Sequence, residues 1–336
     1  METFMEAAIA KPTGKRGRLI QQVIHAKEFG VFCALMLLII VMSIASPYFF
    51  QTQNIFNVLR NMSTIGIMSI GVTMIIITGG IDLSVGSLLA VSGMFTARLM
   101  YFGINPFIAF LGGLAMGTAL GAVNGLIITR VRVNPFITTL GMLSIGRGLT
   151  FFLATGIRGS VASNIAMKNP AINFLGGGYV GAVPFPVIEM FILVILFSYF
   201  LKNTVLGRQI YATGSNMEAA RLSGVRVRHV QLFVYTLTGT MCGLAGIMSG
   251  GLIETAATNA GTGTELDVIA AVVIGGTSLS GGEGTIIGAI IGAAIMAILK
   301  NAFVLLHLPA FVQTITIGVV IILAVATDTV RNRKSR

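Results

Sequence analysis

The chain alternates between long apolar runs and short polar segments that are mostly basic. A helix needs about 20 mainly apolar residues to cross a hydrocarbon layer. Runs of that kind occupy 29–46, 62–78, 83–100, 105–128, 133–155, 184–201, 231–253, 267–280, 284–303 and 309–327. The predicted fold is an all-α membrane protein of about ten transmembrane helices. Glycines interrupt the third and eighth runs. The stretch before the first run is basic, and 29–46 is long enough to stay in the membrane as an anchor. No cleavable signal peptide is therefore expected.

Composition strengthens this reading. Of 336 residues, 55% are apolar and 10% are charged, whereas soluble domains carry about a quarter charged residues. One water-soluble core could not hide so much apolar surface. The 42 glycines and the absence of tryptophan fit helices whose backbones approach closely in a bilayer. A net charge of +11 raises the question of nucleic acid, but the basic residues cluster between apolar runs, so no nucleic-acid partner is expected. Cys33 and Cys242 lie inside apolar runs and read as packing residues rather than a disulfide.

The basic residues also set an orientation. With the N-terminus in the cytoplasm, alternation puts Lys11, Lys15, Arg16, Arg18 and Lys27 inside, then Arg130 and Arg132. Lys202, Arg208, Arg221, Arg226 and Arg228 follow on the same side, and so do Arg331, Arg333, Lys334 and Arg336. Only Arg60, Arg98, Arg158, Lys168 and Lys300 fall outside, and Arg147 lies within a run. Both termini are thus expected in the cytoplasm. The organisation follows as a cytoplasmic segment 1–28, a transmembrane domain 29–328 with a cytoplasmic segment 202–230, and a tail 329–336.

Two internal alignments compete. Asp82 opens the third run as Asp267 opens the eighth, Asn124 precedes Pro135 and Phe136, and Asn301 precedes Pro309 and Phe311. That register pairs runs three to five with eight to ten, five crossings apart, and so predicts inverted halves, a common transporter plan. The rival pairs Gly79-Gly80-Ile81-Asp82-Leu83-Ser84 with Gly275-Gly276-Thr277-Ser278-Leu279-Ser280. It would drop a whole run before the proline match, so the inverted register is the preferred one.

Candidate chemistry concentrates between runs six and seven. Ser215 or Asn216 can cap a helix, Glu218 suits its first turn, and Gly224 can end it. The spacing predicts a short helix over 217–223 with small residues Ala219, Ala220 and Ser223. Such a helix is suited to docking in a cleft on another protein. The segment reads equally as an ordinary loop bearing lipid-facing arginines.

This segment, from Leu206 to Val225, resembles the coupling region of ribose-type permeases of ABC importers, a group that extends to xylose, galactose and branched-chain amino acid permeases. Three further stretches share the resemblance: Gly79-Gly80-Ile81-Asp82-Leu83-Ser84-Val85-Gly86-Ser87, Pro135-Phe136-Ile137-Thr138-Thr139-Leu140-Gly141, and Glu265 through Gly282. The likeness runs over about 49–328. It implies a type II ABC importer-like permease of two inverted five-helix repeats in the bacterial inner membrane. It also implies a second permease subunit, identical or related, a separate ABC ATPase that binds the ATP, and a periplasmic sugar-binding protein. By the same resemblance Gly214, Asn216, Glu218, Ala219, Ala220, Arg221, Ser223 and Gly224 couple to the ATPase. The cargo it implies is a small sugar, since Gly-Gly-Ile-Asp-Leu-Ser is the sugar branch's usual form.

Leu279-Ser280-Gly281-Gly282-Glu283 nearly spells an ABC ATPase signature. No G-x-x-x-x-G-K-[ST] phosphate loop accompanies it, so a tight glycine turn is expected there and no ATP hydrolysis on this chain. No G-x-S-x-G or H-E-x-x-H is present to mark an enzyme, and no metal site is expected.

Ionisable groups inside the membrane are costly and therefore functional candidates. Arg147 and Glu189 could pair along an outward cavity; a structural ion pair or a snorkelling Arg147 reads equally well. Asp82 reads as a cap on the third run or as a hinge at a broken helix. Asn124, Asn134, Thr138 and Asn301 join them as candidates for a translocation path. Glu254, Glu265 and Asp267, in or beside the outer loop 253–267, are candidate contacts for the binding protein, as is the longer loop 156–183. An ion-coupled carrier is the main rival, but the carboxylates and histidines sit near run ends or in loops, away from mid-membrane.

Overall fold

The structure is a computed structural model that describes residues 29–155 and 164–334. The basic segment 1–28 and Arg158 lie outside the described residues, and with them the expectations placed on them. Thirteen helices are described in chain order. They are α1 (Phe29–Ala45), α2 (Thr52–Ile77), α3 (Val85–Tyr101), α4 (Pro106–Leu126), α5 (Pro135–Ala154), α6 (Pro170–Gly177), α7 (Phe185–Asn203), α8 (Val205–Ser215), α9 (Met217–Leu222), α10 (Val227–Leu252), α11 (Thr264–Ile274), α12 (Ile286–Leu305) and α13 (Ala310–Lys334). Six of them, α2, α4, α5, α7, α10 and α12, are long and apolar enough to cross a membrane. The fold is thus that of a helical membrane protein.

Local chemistry explains most of the boundaries. α4 and α5 each open on Asn-Pro, with Asn105 and Asn134 accepting from the N–H of Phe107 and Phe136 at 2.9 Å. Proline tolerates the first helical position because its missing N–H is not needed there. α4 runs on through a single π-type stretch, Ile127–Val131, that ends at Arg132 in the left-handed region (φ 66). α2 begins well before its apolar run because Gln53, Asn54, Asn57, Arg60 and Asn61 continue the helix as a polar first half.

One expected span is broken. The run 267–280 forms an 11-residue helix, α11, that stops at Gly275 and at Gly276 with φ 89. Eleven residues rise about 16 Å, roughly half of an apolar layer. The run looked longer because the uncharged residues 275–280 continue it, while the glycines end the helix.

The core is built on α2 and α10, which pack against each other and are buried along most of their length. α10 lies on α4 through facing glycines. A Cβ on Gly239 would come within 2.8 Å of the Gly121 Cα and 3.0 Å of its N, so the two backbones touch directly, as small residues permit in a bilayer. The same pairings recur in both halves: α10 on α4 as α2 on α12, α10 on α3 as α2 on α11, α3 on α5 as α11 on α13. Two short antiparallel pairings join loops. Ile165–Ala166 (β1) pairs with Thr255–Ala256 (β4), and Tyr179–Val180 (β2) pairs with Val183–Pro184 (β3).

Candidate functional site

The segment between α8 and α10 forms the short helix that its capping residues predict. Asn216 accepts from the Ala219 N–H at 2.9 Å, and Gly224 takes φ 85 just past the end. Ser215 is not the cap; its hydroxyl donates to the Tyr211 carbonyl at 3.0 Å. Met217, Glu218, Ala219, Arg221, Leu222 and Ser223 are exposed, with Leu222 at 86%. Two of the expected docking residues face inward instead. Ala220 is buried. Gly214 is pressed so closely on the α2 end that a Cβ there would meet the Gly282 N–H nitrogen at 2.5 Å and the Ile77 carbonyl carbon at 2.8 Å. Both therefore help seat α8 and α9 on the bundle.

What they seat against is the pseudo-signature. Gly281 and Gly282 both have positive φ (83 and 78), which only glycine adopts without strain, and Gly282 N–H donates to the Ile77 carbonyl at 2.8 Å. Tyr211 of α8 donates its hydroxyl to the Gly284 carbonyl at 2.7 Å. The exposed helix is therefore tied through α8 to the end of α2 and to the glycine turn before α12.

The loop joining α2 to α3 holds a second polar cluster. Asp82 and Asn124 are fully buried. One Asp82 oxygen accepts from the Ser84 N–H (2.8 Å) and the Ser84 hydroxyl (2.6 Å), while Asn124 donates its amide to the Ser84 Oγ at 2.9 Å. Ser84 occupies the cap position of α3, so Asp82 shapes the turn before the helix and does not cap it. Tyr235 of α10 donates to the Ile81 carbonyl at 3.3 Å and Thr139 of α5 donates to the Pro135 carbonyl at 2.9 Å. The second Asp82 oxygen and the Asn124 carbonyl oxygen have no partner among the described residues. Asn134 serves as the α5 cap, and the buried Thr138 bonds back to its carbonyl at 3.1 Å.

At the other end of the bundle the expected Arg147–Glu189 pair is not formed. Arg147 donates to the Ala260 carbonyl at 2.5 Å and lies within electrostatic reach of Glu265. Glu189 has a buried oxygen without a partner among the described residues. The reason is the fold: α5 packs on α3, whereas α7 packs on α2. Asp267 is buried in an ion pair with Lys300, which withdraws it from any contact with a soluble partner. Glu254 is exposed and accepts from Asn173 at 3.0 Å, and Glu265 is half-buried. Asn301 exchanges two amide hydrogen bonds with Asn54, at 2.6 and 3.1 Å. A cavity of about 460 Å³, lined by Asn57, Arg60, Asn61, Thr64 and Lys300 together with apolar residues such as Ile65, Leu89 and Met248, opens beside these pairs. Sequence reading missed Ser84, Tyr235, Asn54 and Lys300 as members of these networks; their polarity inside or beside apolar runs was the available signal. Among the described residues no three His, Cys, Asp or Glu side chains gather as metal ligands.

The model for the family described as branched-chain amino acid transport system / permease component matches residues 54–325. The chain belongs to that family. Among its relatives, the ribose import permease protein RbsC of Escherichia coli (strain K12) is 44% identical over 295 residues, 88% of this chain and 91% of that one. RbsC of Bacillus subtilis (strain 168) is 39% identical over 302 residues, 90% and 92% of the two chains. The D-allose transport system permease protein AlsC of Escherichia coli (strain K12) is 36% identical over 303 residues, 90% and 91%. No solved structure matches the chain significantly. This permease-family member is thus similar to sugar permeases over about nine-tenths of its length.

Proposed function

We infer that this chain is the membrane-spanning permease subunit of an ATP-binding-cassette importer that carries a small sugar delivered by a periplasmic binding protein. The 44% identity with a ribose import permease over 91% of that protein carries the reading. ATP is bound and hydrolysed by a separate ATPase chain, which seats on the exposed face of α9 through Glu218, Ala219, Arg221 and Ser223. The arginines around that helix mark its side as cytoplasmic, and with it both termini of a protein in the bacterial inner membrane.

The recurring helix pairings support two inverted repeats, α2–α5 and α10–α13, with α11 as a half-span. A second permease subunit, identical or related, completes the transporter. The exposed face of α5 is suited to it, since nothing lies within 4 Å of the Cβ positions of Gly141 and Gly148. ATP-driven closure of the ATPases moves α9. The Tyr211 and Gly282 contacts pass that motion to the end of α2 and so to the buried Asp82–Ser84–Asn124 loop, which acts as a hinge. On the outer side the exposed Glu254 is the candidate contact for the binding protein, while Glu265 is half-buried.

Proteoliposomes holding the chain, its ATPase and its binding protein provide the test. Labelled ribose or allose should accumulate only with ATP and binding protein, and collapse of ion gradients should leave uptake intact. Uptake that needs no ATP and fails with an ionophore would make the chain an ion-coupled carrier instead.

A further inference from the structure

At the end of the bundle where α5 and α10 begin, a cavity of about 740 Å³ opens beside α9. Its wall carries Arg132, Arg221, Arg226, Arg228 and His229, with Glu218 the one carboxylate. None of these side chains makes a hydrogen bond or ion pair among the described residues. Four guanidiniums around one hollow repel each other, and a cleft lined by one sign of charge concentrates ions of the other. The chemistry of the cavity is that of an anion receptor, and guanidinium forks match phosphate oxygens best.

The surrounding chain decides what the anion is attached to. Val131, Phe136 and Ile137, next in sequence to the lining residues Arg132 and Pro135, leave 68%, 47% and 58% of their surface exposed. Guanidiniums next to uncovered apolar side chains reproduce the boundary between lipid headgroups and acyl chains. A soluble anion would engage the arginines alone, whereas a diacyl phospholipid would also cover apolar side chains near them. Arg132 holds left-handed backbone (φ 66) at a helix end where glycine is the usual residue, and from there it lines the cavity. Thr78, Gly79 and Gly80 also line the cavity, so an occupant lies against the loop leading to Asp82.

We propose that this cavity binds the phosphate of an anionic phospholipid, of the phosphatidylglycerol class, and so links the start of α5 to α9. The site concerns lipid rather than cargo and stands whether or not the sugar reading does.

The test titrates the full chain, purified in mild detergent, with phosphatidylglycerol or phosphatidylcholine and counts retained lipid by native mass spectrometry. Phosphatidylglycerol is expected to bind about tenfold more tightly than phosphatidylcholine. The double variant Arg132→Gln/Arg228→Gln should weaken it about thirtyfold, as expected for two interfacial arginines. Arg208→Gln, on an exposed residue of α8 outside the cavity, should change nothing and controls for total charge. Arg132→Lys/Arg228→Lys keeps the charge and should keep most of the affinity, which separates loss of the site from loss of the fold. Equal retention of the two lipids, or unchanged affinity in the glutamine variant, overturns the proposal. Displacement by millimolar inorganic phosphate overturns it in favour of a soluble anion. A glutamine variant that keeps its lipid but loses a co-purifying protein overturns it in favour of a protein interface.

Discussion

The Ser84 hydroxyl joins two buried residues, donating to Asp82 and accepting from Asn124. Ser84→Ala removes both bonds and leaves a buried carboxylate and amide short of partners, at a cost of about 1–3 kcal/mol. Thermal unfolding in detergent should show a lowered midpoint; an unchanged midpoint would remove the cluster from the account of stability. The Asp267–Lys300 pair gives a sharper contrast. Lys300→Met strands a buried charge and should destabilise by about 3–5 kcal/mol, while adding Asp267→Leu should recover much of the loss. If the double variant unfolds no later than the single, the pair is not what holds α11 on α12. At this scale the sequence revealed which residues matter better than it revealed their partners. Asp82, Arg147 and Glu189 stand out as polar groups in apolar surroundings, which is a local property. That Arg147 reaches Ala260 and not Glu189 depends on which helices pack together, and no residue spacing encodes it.

Among the elements, α9 was legible almost to the residue because every signal that makes it is local: the Asn216 cap, the acidic first turn, and Gly224 in the left-handed region. Its attachment was not legible. Gly214 reads as part of a polar loop, yet its lack of a side chain is what lets α8 lie on the end of α2. Gly214→Ala should lift α8 at a cost of about 1–3 kcal/mol, typical of overpacking. ATP-driven uptake should then fall more than the amount of folded protein does, as measured side by side in proteoliposomes. An equal fall in both would mean that the residue serves packing alone. The half-helix α11 is shorter than the run suggested, because the uncharged stretch 275–280 extends the run while the backbones of Gly275 and Gly276 end the helix.

For the molecule as a whole, apolar runs located the helices because a hydrocarbon solvent imposes length and polarity on each one separately. Their arrangement about α2 and α10 emerges only from packing, and its two-fold recurrence fits the register that pairs Asp82 with Asp267. The proposed inverted repeats would put α9 and the loop before α11 on opposite sides. With Cys33 replaced by serine, Leu222→Cys should react with a membrane-impermeant maleimide only in inverted vesicles, and Glu254→Cys only in intact spheroplasts. Both labels on one side would break the topology. The central claim is that α9 joins this chain to an ATPase, and mass spectrometry of proteins co-purified from gently solubilised membranes tests it most directly. Wild-type chain should bring down an ATPase with a phosphate-binding loop, and Glu218→Arg should lose it while keeping its fold. Chain recovered alone, or an ATPase that stays bound to the variant, would contradict the account.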